Sequence, residues 1–257
     1  MERSLGVRIF GGQSWPIAKD HPKGKVMSRF RKATIFAAGK VRGRPIEIDA
    51  NIALRDILDI IYKNGIALMR GIIRLRKMVI LGKHIELSGR NKLKLGRGVV
   101  IRDYSKLSCA GVEGIQFGDG VSIGAFCMLS VSGSIADLGA GIRIGNNVGI
   151  GDFSHIGGAG LVTIGDDTII GPYFSVHPEN HRFQDLEILI RHQGVIRQGI
   201  AVGTNCWIGT KVSILDGAKV GDGCVIAAGA VVKGTFADNS IIAGVPAKVI
   251  GMRYAKD

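Results

Sequence analysis

Large side chains are scarce in this sequence. Aromatics make up 6% of 257 residues while glycine occurs 39 times, and a sandwich or bundle filled to ordinary packing density needs more bulk than that. The composition points instead to a narrow, repetitive core, in a chain long enough for one or two domains. Acidic residues are also scarce, but only in the first hundred positions, which hold 7 Asp/Glu against 22 Lys/Arg; the remainder holds 14 against 12. The net charge of +13 is therefore wholly N-terminal. Such a stretch suits nucleic acid, anionic lipid or an acidic polymer, and charge alone does not choose among them.

Long apolar runs are missing. The longest, Ile66 to Leu81, is broken by Arg70, Arg74, Arg76 and Lys77, which rules against a spanning helix there. Met1 to Lys40 lacks the apolar stretch and small-residue cleavage site of a secretory signal, so the expectation is a cytoplasmic protein. Close cysteine pairs of the zinc-binding kind are missing too. Cys109 and Cys127, like Cys206 and Cys224, stand 18 residues apart, a spacing that reads as small buried residues stacked in successive coils.

What the sequence does contain is a repeat, and its period is six. Aliphatic residues recur at Val202, Ile208, Ile214, Val220, Ile226 and Val232. Four places after the first five come Cys206, Val212, Ala218, Cys224 and Ala230, each small or β-branched. The same phase returns in Phe117, Ile123 and Leu129, in Ile144, Ile150 and Ile156, and in Ile164, Ile170 and Val176. A six-residue period drifts around a helix of 3.6 residues per turn and makes no apolar stripe. Three short strands per coil make a triangular prism, closed every 18 residues, in which the aliphatics stack inward.

At this point the sequence resembles the hexapeptide-repeat acyltransferases, over roughly residues 80 to 250. The resemblance implies an all-β solenoid, a left-handed parallel β-helix, spanning 82–257 with a helical cap over 46–81, and a homotrimer. Residues 1–45, basic and without period, are expected to be flexible.

The hexads stop after Val176 and resume at Val202, so residues 177–200 must leave the prism as a loop, a common place for function. The loop reads as polar and holds His177, His181 and His192 with Glu179, Asp185 and Glu187. Thioester-to-hydroxyl transfer needs a base near neutral pH, which histidine supplies. The segment Asn180-His181-Arg182-Phe183, with Gln193-Gly194 and Cys206-Trp207-Ile208-Gly209 after it, resembles maltose/galactoside acetyltransferase-like sugar and polysaccharide O-acetyltransferases. In that resemblance His181, five residues after Val176, is the general base. His177 competes, since it precedes a proline as the base does in some relatives; Glu179, Asp185 or a backbone carbonyl would orient the imidazole.

The same resemblance implies acetyl-CoA as cosubstrate and no metal. Trp207 walls the acyl site, Gly209 and Thr210 flank the thioester, Ala228 and Gly229 line the pantetheine arm, and Lys233, Gly244 and Lys248 sit toward the coenzyme phosphates. Asp152, His155 and Asn180 are the expected acceptor contacts. Gly151-Asp152-Phe153 replaces the relatives' Asn-Phe-Asn segment and argues against galactoside or maltose, leaving a glycan precursor or other sugar as acceptor and no nucleic acid as partner. An amino acceptor, a zinc-dependent carbonic-anhydrase-like protein and a non-catalytic scaffold are the alternatives on this fold. His155, His177 and His181 do not match the zinc enzyme's spacing.

Residues 46–81 read as helix, starting near Asp49 or Asn51 and interrupted at Gly65 and Gly71, placed to cover the open end of the prism. Arg70, Arg74 and Lys77 share a helical face and suit an anionic membrane surface as one reading, a solvated face as the other.

Overall fold

The computed structural model describes residues 51–134 and 136–253, together with Gly39 and Asp49. The expectation of a flexible stretch over 1–45 lies otherwise outside the described residues. Strands of mostly two to four residues pass in turn through three sheets. The first runs from Ile80–Leu81 to Ala247–Met252, the second from Glu86–Ser88 to Val231–Val232, the third from Leu93–Leu95 to Thr235–Phe236. Every pairing between coils is parallel until the last hairpin, Ser240–Gly244 with Ala247–Met252, which turns antiparallel. The architecture is a left-handed parallel β-helix.

The hexad residues form its interior: Val202, Ile208, Ile214, Val220, Ile226 and Val232 are all buried, as are the small residues four places on. Ile208 pairs with Ile226, 18 residues on, where the repeat is unbroken; Ile150 pairs with Ile170, 20 on, and Ile170 with Ile208, 38 on, across the loop. The cysteine reading holds for one pair only. Cys206 and Cys224 immediately precede the paired residues Trp207 and Val225 and so stack. Cys127 instead follows Ser105, to whose Oγ its N–H donates at 3.2 Å, while Cys109 lies beyond the Ser108–Ser130 pair. Coils of unequal length break that alignment. Burial raises the Cys109 and Cys206 thiols to about 11, which leaves them inert at neutral pH.

Glycine is frequent because adjacent coils meet closely at the corners. Between the third and first sheets, the N–H groups of Arg97, Asp119 and Asn146 donate to side-chain oxygens of Asp119, Asn146 and Asp166 in the next coil, at 2.8, 2.9 and 2.7 Å. A Cβ on Gly118 or Gly145 would strike the Asn146 or Asp166 oxygen. Hydrogen bonds from Arg97 and Asn146 hold the Asp119 and Asp166 carboxyls below their ordinary range. Their contribution to stability is present above that range and is lost as pH falls through the lowered values.

At the corner between the first and second sheets, His84, Tyr104, Phe126, Phe153 and Tyr173 stack in a column with ring centroids 4.8 to 5.1 Å apart. All five have positive φ, 53 to 60°, which costs a non-glycine residue about 1–2 kcal/mol. Each stacked pair offsets about 0.5–1.5 kcal/mol of that. Phe126→Ala removes two stacks and should lower unfolding free energy by about 1–3 kcal/mol, read from the denaturant midpoint.

The prism's first coil is closed by α1, Leu54–Leu75. The helix begins later than the sequence suggests, after Ala53, which has no side-chain cap; Asp49 accepts the Asn51 N–H instead. Nor do the glycines interrupt it. Gly71 is where the helix backbone meets the strand, since a Cβ there would strike the Val79 carbonyl. The bases Arg70, Arg74 and Lys77 are not a free stripe: they donate to the carbonyls of Leu81, Ile85 and Leu95, at 2.5, 3.0 and 3.3 Å. Those carbonyls belong to the exposed edge of the first coil, one beside each sheet. The three cations thus satisfy acceptors that no preceding coil is there to pair.

Candidate active site

The loop leaves the prism at the end of strand Ser175–His177 and returns at Ile200–Val202. Its stem is a two-residue antiparallel ladder, Asn180 with Ile196 and His181 with Val195. Asp216, itself 2% exposed, holds the base of this stem. Its carboxylate accepts the backbone N–H of Gln198 and of Gly199, both at 2.9 Å, and the Asn180 side-chain amide at 3.4 Å. Arg197 fastens the stem a second time, donating Nε to Glu179 at 2.6 Å and Nη1 to Asp137 at 2.9 Å. Farther out, the Gln193 amide donates to the carbonyls of Asp185 and Ile188, 2.7 Å each.

His181 is thereby placed on a braced hairpin with its imidazole exposed. Glu179 is engaged by Arg197, and an Asp185 oxygen accepts the Glu187 N–H, so neither carboxylate partners His181. His177 stands on the prism itself, stacked on His155 at 5.7 Å. Burial, then the neighbouring His177, lowers the pKa of His155 and so disfavours its charged form. Asn180 serves the loop's anchorage through Asp216. His192 lies in a short exposed 3₁₀ turn, Ile190–His192.

The loop is less polar than its histidines suggest. Phe183, Leu186, Leu189 and Ile190 project from its tip, and Leu186 is 94% exposed. Within one chain nothing among the described residues covers them.

The residues expected around the coenzyme gather mostly at the corner that follows the first sheet. Trp207, 58% exposed, stands outward between Ile169 and Val225, and Ile169 extends its apolar ledge. Gly209, Thr210, Ala228 and Gly229 follow in adjacent coils, and Gly244 occupies the same corner one coil on. The Thr210 hydroxyl donates to the Pro172 carbonyl at 2.8 Å, so its proton is already committed. The backbone is the better candidate. Two coils along this corner, Asp103 accepts the Lys83 N–H and Asp152 the Ala125 N–H, each at 2.7 Å. Ala228 has no side-chain oxygen to do the same, which leaves the Thr210 N–H open to a ligand.

Asp152 thus has a structural task and lines the cleft beside α1, rather than the loop. Lys233 also departs from expectation. It lies one place beyond the Ile214–Val232 pair, in line with His177 and Leu215, at the opposite edge of the second sheet. Lys248 pairs with Ala243 in the terminal hairpin, exposed beside Gly244. Arg253 donates to the Gly223 carbonyl. The Trp207–Thr210 ledge therefore lies just before the second sheet and the histidines at its far end, where Leu215 pairs with His177.

Residues 199–234 match the family described as bacterial transferase hexapeptide (six repeats). A probable acetyltransferase of Mycobacterium tuberculosis is 31% identical over 180 residues, 70% of this chain and 56% of the relative. WbbJ of Escherichia coli, named for O-acetyl transfer in lipopolysaccharide biosynthesis, is 31% identical over 143 residues, 53% of this chain and 70% of the relative. The chain belongs to the hexapeptide transferase family. The galactoside O-acetyltransferase of Escherichia coli is 35% identical over 117 residues, 44% of this chain and 54% of that one. The chain thus spans about half the length of two of these relatives.

Among the described residues, no group of three or more His, Cys, Asp or Glu within one chain is placed to hold a metal ion. No helix among them is long and apolar enough to cross a membrane. Two residues of consequence went unnoticed in the sequence, Asp216 and Arg197. An Asp-Gly pair inside an unbroken hexad run looks like an ordinary turn, and only the register reveals that it faces the loop's return.

Packing at the ledge is tight. A Cβ on Gly209 would come within 2.6 Å of the Ala228 nitrogen, so Gly209→Ala forces the two coils apart. Such overpacking costs about 1–3 kcal/mol, and the melting temperature of the variant should fall accordingly.

Proposed function

We propose that the protein transfers the acetyl group of acetyl-CoA to a hydroxyl of a sugar or glycan precursor, with His181 as general base. The observation that carries this reading is the pairing of two half-sites: an exposed imidazole on a braced hairpin, and an apolar ledge of Trp207 and Ile169 beside small-residue coils with an open N–H at Thr210. A thin pantetheine arm fits against such a small-residue edge. The relatives named for O-acetyl transfer support a hydroxyl as nucleophile.

The chemistry follows from the groups present. His181 takes the proton as the hydroxyl oxygen bonds to the thioester carbon, worth about 10²–10⁴ in rate. The Thr210 N–H faces the charge that develops on the carbonyl oxygen. As the C–S bond breaks, the imidazolium returns the proton to the departing thiolate. Lys248 and Gly244 lie toward the end of the ledge, where a coenzyme phosphate would meet the ammonium.

A homotrimer completes the site. The apolar tip at Leu186 and Leu189 requires a covering surface, and a neighbouring copy supplies both that and the missing half-site. Acetyl-CoA turnover against a panel of sugars, amino sugars and lipid-linked glycans tests the reading. Release of CoA with hydroxyl acceptors supports it, transfer only to amino sugars replaces it with N-acetylation, and no transfer to any acceptor contradicts it.

A further inference from the structure

The helix α1 has two apolar faces, and only one meets the prism. Ile57, Ala67 and Gly71 are buried toward the first coil. Leu54, Leu58, Tyr62, Ile66, Met69 and Ile73 fall on a separate arc of about 120°, and each is 43 to 73% exposed. Arg55 stands in the first turn of this outer face and Arg76 immediately after its last. Neither makes an ion pair among the described residues.

Tyr62 and Ile66 also line a cleft of about 650 Å³ between α1 and the first sheet. Lys83 and Arg102 line it as well, with Lys63 already paired to Asp59 at 2.6 Å, against Asp103 and Asp152, each with one oxygen already occupied by a backbone N–H. The apolar arc and the cationic cleft are therefore contiguous.

We propose that the outer face of α1 docks on an anionic lipid bilayer, with the apolar arc at the boundary of headgroups and acyl chains and the bordering cations on lipid phosphates. Charge decides between the possible occupants. Pairing this face with that of a second copy sets Arg55 against Arg76 or each against itself, and both arrangements repel. The first fifty residues, with 11 Lys/Arg against 4 Asp/Glu, carry the same sign as the face and do not complement it. An anionic surface complements Arg55, Arg76 and the cleft cations Lys83 and Arg102 at once. The cations that close the first coil, Arg70, Arg74 and Lys77, stay on their carbonyls, so docking does not require the cap to open. This surface goes beyond the transfer reaction and stands without it.

The test is flotation of the full chain with vesicles of phosphatidylcholine alone and of equal parts phosphatidylcholine and phosphatidylglycerol. The chain should float with the anionic vesicles only, and less at high salt. The triple variant Leu58→Glu, Met69→Glu, Ile73→Glu should lower the partition coefficient about tenfold or more, and the double variant Arg55→Gln, Arg76→Gln about tenfold. Should the triple variant melt early, the arginine pair carries the test alone. Failure of the unaltered chain to float, or equal flotation of the unaltered chain and the arginine variant, overturns the proposal. So does loss of self-association in the triple variant when the parent ignores anionic vesicles, which would give the face to a second copy.

Discussion

His181→Ala should lower acetyl transfer by about two to four orders of magnitude while leaving the fold and acetyl-CoA binding intact. His181 makes no side-chain hydrogen bond among the described residues and is exposed on the loop hairpin, so its removal deletes a proton acceptor and little else. His177→Ala is the informative control. His177 is stacked on His155 at the prism's surface, and its loss should cost less than tenfold, through acceptor placement. Steady-state rates for both variants, with coenzyme affinity measured separately, divide the roles. A collapse in the His177 variant with near-normal rates in the His181 variant would move the base to the strand end.

Asp216→Ala should cost nearly as much activity by a different route. The buried carboxylate accepts two backbone N–H groups and the Asn180 amide, and an unsatisfied buried donor costs about 1–3 kcal/mol. Removing it frees the base of the hairpin that presents His181. Because the coils on either side keep their own ladders, the loss is local. Hydrogen exchange should therefore speed up over residues 178–199 while the core hexads keep their protection, and turnover should fall at least about tenfold, since a misplacement near 1 Å already has large effects on rate. Uniform loss of protection across the prism would show instead that Asp216 supports the fold as a whole.

The hexads were legible because a period of six survives every insertion: Ile144, Ile164 and Val202 face inward although loops of different length separate them. The loop was legible for the same reason, as the place where the period fails. What escaped were features that depend on register between coils of unequal length. The aromatic column steps from His84 to Tyr104 to Phe126 to Phe153 to Tyr173 at intervals of 20, 22, 27 and 20 residues, which no fixed period reveals. The same irregularity separated Cys109 from Cys127.

The sequence alone does not show where charge meets backbone. Arg70, Arg74 and Lys77 look like a solvated or lipid-facing stripe in sequence, yet a solenoid's first coil exposes carbonyls on three sides and these bases reach them. Asp152 similarly reads as an acceptor contact, whereas the corner ladder claims one of its oxygens. Thr210 shows the same effect, since its hydroxyl has a carbonyl partner in the preceding coil and only the backbone N–H is left to meet a ligand.

Determining the structure of the assembled protein with coenzyme A bound tests the central claim most directly. The sulfur should lie beside the Thr210 N–H, with the pantetheine arm along Ala228 and Gly229 and the His181 imidazole of an adjoining copy within hydrogen-bonding reach. Coenzyme bound away from the Trp207 ledge, or a sulfur far from every His181, would contradict it.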